Sequence, residues 1–220
     1  MVENHTSVSK PGSNPNESQP SAPSQPAPLL GAWRSSPQRT LVFLHGFGGH
    51  PDSYDLESLR RGVGSTSVVR ARGPVTTESG FGWWDGEDQD PSPDTLANAI
   101  AAVRDQLPQT TDPLVLVGFS QGGAAALEAG LLAAHGFVAP VAAVVAVAGF
   151  LVSPPDDIRN PPPVLFVHPT DDSVVDVFLA ERATRLLTRH GVDASFVEVP
   201  GDHAWSNAIV DSVVKFLLHH

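Results

Sequence analysis

The chain has 220 residues, 41% of them hydrophobic and 17% charged, with a formal net charge of −11 and no cysteine. That length and apolar fraction suit one well-buried domain, and the lack of cysteine excludes disulfides, thiolate nucleophiles and cysteine metal sites. Nucleic-acid binding needs clustered Lys and Arg, which the sequence lacks, and the acidic balance also argues against anionic membranes. No apolar run approaches the roughly 20 residues of a membrane span. The amino terminus has no basic segment leading into an apolar stretch, as a secretory signal would. The expectation is a cytoplasmic protein with no stable membrane insertion.

Residues 1 to about 30 are rich in Ser, Pro, Asn and Gln, with almost no large apolar side chain before Leu29-Leu30. Such a segment cannot bury enough surface to fold, so a disordered tail is expected there and a single domain over 31–220. Thr40–Leu44 reads as a buried strand, ending in His45-Gly46-Phe47-Gly48-Gly49, and Ser67–Ala71 reads as a second. Leu96, Ile100, Val103 and Leu107 recur at helical spacing and predict a helix over Pro93–Leu107. Pro113–Phe119 is the clearest strand; it breaks at Ser120 and leads into an Ala-rich helix from Gly122 to Ala134. Val141–Val147 and Val164–Val167 are β-branched runs of strand length. A helix follows between Val174 and His190, then a strand at Ser195–Val199 and a closing amphipathic helix from Trp205 to Leu218. Continuous apolar strands alternating with helices imply a parallel sheet covered on both faces. Right-handed crossovers then put the functional loops at the carboxyl ends of the strands.

Gly118-Phe119-Ser120-Gln121-Gly122 satisfies G-x-S-x-G and lies between a strand and a helix, the context of a nucleophile elbow. Glycines two before and two after the serine are needed because a side chain there would collide with neighbouring backbone. A serine nucleophile requires a base and a group that holds the imidazole, in the chain order Ser, acid, His for this elbow. His203 follows the strand ending at Val199 and precedes the last helix, which is where a base could reach Ser120; His168, at the end of an earlier strand, is the rival. Asp171 and Asp172 both follow His168 and are not separable by spacing. Asp176 is more distant, and Asp202 is too close to His203 in sequence to reach its ring comfortably. An oxyanion hole needs preorganised donors. The backbone N–H of Gln121 supplies one, and the Gly-rich loop 45–49 can turn the Phe47 N–H inward as the other.

These residues resemble the phospholipase/carboxylesterase family, similar to acyl-protein thioesterases, within the α/β-hydrolases. The resemblance runs from about residue 40 to the carboxyl terminus. It rests on "LVFLHGFGG", "ARGPV" followed by "GWWD", "LVGFSQGG", "VLFVHPTDDSVV" and "VPGDHAW". It implies an α/β-hydrolase fold, and after the tail too few residues remain for a large cap domain. It also implies Asp172 rather than Asp171 as acid, His203 as base, Phe47 and Gln121 as oxyanion donors, and Trp83 and Asp85 in an aromatic substrate loop. The chain departs from the family pattern at Gly49, at Pro169 and in its acidic loop "TTESGFGWWDGEDQD", which leaves the fold and triad intact and bears on the substrate. The expected activity is hydrolysis of a small-molecule ester or thioester through Ser120, Asp172 and His203, with no metal or organic cofactor. Phe81, Trp83, Trp84 and Phe47 are expected to line the groove. A peptidase or lactone-opening hydrolase would use the same triad, whereas a non-hydrolytic binding or biosynthetic protein on this scaffold would be expected to lack a member of it.

Overall fold

Six aliphatic runs pair side by side in the computed structural model, which describes residues 38–64, 67–86, 90–131, 136–153, 158 and 160–220, together with Met1. Apart from Met1, the expected tail over 1–30 lies outside the described residues, as do residues 132–134 of the expected Ala-rich helix. Chain contacts divide Met1–Arg34 from Ser35–His220, and the fold below is that of the second unit. Its strands are β1 (Thr40–Leu44), β2 (Ser67–Ala71), β5 (Leu114–Phe119), β6 (Val141–Val147), β7 (Val164–Pro169) and β8 (Ala194–Val199), all parallel, in the order β2-β1-β5-β6-β7-β8. Every residue of β1, β5 and β7 is buried, as expected of parallel strands covered on both faces.

Alternate strand residues feed two cores. Val42, Leu44, Leu116, Val144 and Phe166 face helices α2 (Pro93–Asp105), α3 (Gln121–Leu131) and α4 (Val177–Arg189). Leu41, Phe43, Val117, Val145 and Val167 face α1 (Glu57–Gly62) and α5 (Asn207–Leu217). The helix starts are set by side-chain caps. Ser92 accepts from the Thr95 N–H, Asp176 from Phe178 and Ser206 from Ile209, each cap contributing about 1 kcal/mol. The caps shorten two expected helices: α4 begins at Val177 instead of Val174, and α5 at Asn207 instead of Trp205. Three elements are not among those expected from the sequence: α1, a 3₁₀ turn at Pro51–Ser53, and a hairpin of two-residue strands, β3 (Val75–Thr76) and β4 (Phe81–Gly82).

The strand order reverses direction between β1 and β5, since β2 lies outside one and β6 outside the other. Such a switch point opens a crevice at the carboxyl ends of the two strands. The opposite end of the sheet holds His220: the Arg39 guanidinium, just before β1, donates to its backbone oxygen at 2.6 Å.

Glu128 lies within α3 and is buried, with its Oε1 accepting from the Ser153 N–H at 3.1 Å. Burial is the main cause that raises its pKa, against hydrogen bonds from the Ser153 and Val152 backbone. With the folded pKa raised, the unfolded chain ionises first as pH climbs past 4.5, so this group increasingly disfavours the fold until the pH passes its folded pKa, above which the penalty stays constant. Glu128→Gln keeps the acceptor oxygen and removes the charge. Thermal melts should show the variant matching wild type near pH 4 and gaining on it as pH rises to 8. A variant less stable at pH 8 would overturn this reading.

Candidate active site

Ser120 sits between β5 and α3 at φ 55°, a left-handed conformation that costs a non-glycine residue about 1–3 kcal/mol. The flanking glycines show what holds it there. A Cβ on Gly118 would lie 2.0 Å from the Gly122 carbonyl oxygen, and one on Gly122 would lie 2.3 Å from that of Leu44. The turn is therefore pressed both on itself and on the end of β1. Ser120 also donates its N–H to the Val147 carbonyl at 2.8 Å, fixing the elbow to β6.

Two further loops converge on the serine from β7 and β8. Ser120 Oγ lies 3.0 Å from His203 Nε2, and His203 Nδ1 lies 2.8 Å from Asp172 Oδ2. The other carboxylate oxygen of Asp172 accepts the N–H groups of Val174 and Val175 at 2.9 and 2.8 Å. Both oxygens of the buried acid are thus engaged. Asp171 is exposed and accepts from the Thr170 hydroxyl; Asp176 caps α4. Asp202 does not reach the imidazole from the side. Its Oδ1 accepts from the Ser173 N–H, the Ser173 hydroxyl and the His203 N–H, which clamps the acid loop to the histidine loop. Those bonds, led by the one from the Ser173 backbone, lower its pKa. His168, the rival base, is fully buried: its Nε2–H donates to the Val175 carbonyl at 2.9 Å and stands 3.4 Å from Asp172 Oδ2. It backs the acid and does not face the serine.

The loop after β1 is held beside the elbow. A Cβ on Gly46 would lie 3.2 Å from that of Ser120. The Gly46 N–H donates to the Tyr54 hydroxyl at 3.2 Å, and its carbonyl accepts from His45 Nδ1 at 2.7 Å and from the Gly49 N–H at 3.0 Å. His45 Nε2 accepts from the Gly73 N–H at 3.0 Å, so the ring is neutral; burial lowers its pKa accordingly. With Gly46 so engaged, Phe47 is the next amide along the loop. Across from it, Gln121 opens α3, where helix N–H groups have no intrahelical acceptor.

The crevice is a cavity of about 370 Å³ lined by Phe47, Ser120, Gln121, Phe150, Val174, Val175 and His203. Phe150, Val174 and Val175 are not among the residues expected from the sequence; the signal is their closeness to the ends of β6 and β7, with Val174-Val175 one residue beyond Asp172. Conversely, Trp83 and Trp84 do not line the cavity as expected. Both are 1% exposed and belong to the core over α2 and α3. Phe81 packs with the Arg72 guanidinium 5.0 Å from its ring centre and with His50 at 5.6 Å, lining a different cavity. Asp85 is exposed. A cavity of comparable size, about 410 Å³ beside Leu107, Leu114 and Phe137, has no histidine in its wall. Among the described residues no group of three or more His, Asp or Glu is arranged to hold a metal ion. No helix among them is long and apolar enough to cross a membrane.

A parallel sheet whose switch point carries a serine on a strained strand-to-helix turn is the α/β-hydrolase fold. The family model for phospholipase/carboxylesterase matches residues 31–220, and the chain belongs to that family of ester hydrolases. It is similar to the crystal structure of esterase PE8, at 26% identity over 84% of this chain and 93% of that one, with a TM-score of 0.65. It shares the fold of a carboxylesterase from Bacillus cereus (16% identity, 83% and 88% covered, TM-score 0.69) and of Zea mays acyl-protein thioesterase 2 (21%, 84% and 95%, 0.63). No curated protein matches it by sequence.

Proposed function

We propose that the protein hydrolyses small to medium acyl esters or thioesters through an acyl-enzyme on Ser120. The observation that carries this reading is the unbroken chain Ser120 Oγ–His203 Nε2 at 3.0 Å and His203 Nδ1–Asp172 Oδ2 at 2.8 Å. Ser120 Oγ attacks the carbonyl carbon as His203 Nε2 takes its proton, and Asp172 holds the tautomer and offsets the imidazolium charge. The Phe47 and Gln121 amides donate to the oxyanion, aided by the positive end of α3. The intermediate collapses, the alcohol or thiol leaves with the proton from His203, and water repeats the sequence to release the acid. Every proton passes through His203, so neither metal nor organic cofactor has a step to perform.

Phe150, Val174 and Val175 give the cavity an apolar wall, which favours an alkyl acyl group over a charged one. Val174 is 56% exposed, so the groove opens to solvent along that side. The test is turnover of p-nitrophenyl esters from acetate to palmitate, paired with labelling by a fluorophosphonate. Labelling at Ser120 with a turnover optimum at short to medium chains is expected. Folded protein that neither turns over nor takes the label would sink the reading and favour a binding role.

A further inference from the structure

We propose that Trp83 is a positioning residue for the oxyanion hole, tying together the two loops that carry the Phe47 and Gln121 amides; this rests on the hydrolase reading above. The buried indole Nε1–H donates to the His45 carbonyl at 2.8 Å, at the root of the Phe47 loop. The Trp83 backbone N–H donates to Gln121 Oε1, also at 2.8 Å. One residue therefore holds both sides of the hole through two hydrogen bonds inside the core. The Gln121 amide completes the tie, its Nε2 donating to the carbonyls of Trp84 at 3.2 Å and Gly86 at 3.0 Å.

Packing closes the same circuit from outside. A Cβ on Gly82 would lie 2.9 Å from the Phe47 ring, so the chain just before Trp83 rests directly on Phe47. The His45 and Trp83 rings lie 5.4 Å apart, and His45 is itself anchored by the Gly73 N–H. Behind the hole, a Cβ on Gly122 would lie 2.4 Å from the same His45 carbonyl that accepts the indole N–H. The His45 carbonyl is thus held from two directions, by the elbow backbone and by Trp83. The distance between the two oxyanion amides is set by this arrangement, and the loop from 81 to 86 serves as its brace.

A brace and a mere core filler differ in what they move. Trp83→Phe keeps an aromatic ring but removes the indole donor and leaves a small void in the core. Gln121→Ala keeps the backbone amide and removes all three side-chain bonds. Donors displaced by a fraction of an ångström lose part of the roughly 10²–10³-fold that a whole oxyanion donor supplies. Both variants should therefore lose about 10- to 100-fold in kcat with KM near wild type. Affinity for an alkylboronic acid, whose tetrahedral adduct on Ser120 mimics the oxyanion, should fall by the same factor. The acid limb of the kcat/KM pH profile should stay where it is, because His203 and Asp172 are untouched; a general loosening of the fold would shift it. Trp83→Phe leaves a buried carbonyl unpaired and could cost enough stability to prevent folding; Gln121→Ala then reads the same brace from its other end. If folded variants bind the boronate as tightly as wild type, the brace is overturned. If wild type itself neither binds the boronate nor turns over esters, the hydrolase reading falls instead.

Discussion

Ser120→Ala is expected to abolish ester turnover, lowering kcat by roughly 10⁴–10⁶-fold while leaving the fold intact. The substitution removes one oxygen atom. It keeps the Cβ that packs near Gly46 and the N–H bonded to Val147, and alanine accepts the left-handed backbone at φ 55° at a cost similar to that of serine. His203 loses its proton donor at 3.0 Å but keeps Asp172. Melting temperature should accordingly stay within a few degrees of wild type, and fluorophosphonate labelling should vanish. Substantial turnover in a clean preparation of this variant would remove Ser120 as nucleophile.

Asp172→Asn should be nearly as damaging, at about 10⁴-fold in kcat, for a reason written in the hydrogen bonds around the acid. Oδ1 accepts two backbone N–H groups, from Val174 and Val175. An asparagine must put its amide oxygen there, because an NH₂ would face two donors. Its NH₂ is then forced to the Oδ2 side, 2.8 Å from His203 Nδ1. A donor at that point makes Nδ1 an acceptor and moves the imidazole proton to Nε2, where it confronts the Ser120 hydroxyl instead of receiving its proton. KM should change little. Asp171→Asn, at an exposed carboxylate bonded only to the Thr170 hydroxyl, should stay within a few-fold of wild type in kcat. Equal losses at the two positions, measured under saturating ester, would contradict the assignment of the acid.

The strands were legible because parallel strands buried on both faces must be continuously apolar, and "TLVFL", "LVLVGF" and "VLFVHP" are. The elbow was legible because its glycines are steric necessities that leave a fixed spacing. The residues between the fixed points were harder. Trp83-Trp84 lie in a Gly- and acid-rich loop that reads as a groove wall, yet both rings are buried; the bond that turns the Trp83 indole inward, to the His45 carbonyl, spans 38 positions and leaves no local pattern. Val174 and Val175 looked like the first turn of a helix. They are instead a pocket wall, because Asp172 takes their N–H groups and Asp176 starts the helix later. The hairpin of β3 and β4 has two residues per strand, too few for any alternation to show. The clamp of Asp202 on Ser173 was not legible, because it depends on two loops meeting across 29 positions of sequence.

The bond between Arg39 and the His220 carbonyl has a practical consequence for handling the protein. Arg39 precedes β1, and the serine crevice opens beyond the far ends of the strands, so His220 lies at the end of the sheet that faces away from that crevice. A tether attached at His220, to a resin or an electrode, would hold the molecule with its groove pointing outward. Anchored in that way the crevice faces the open solution, with the support at the molecule's back.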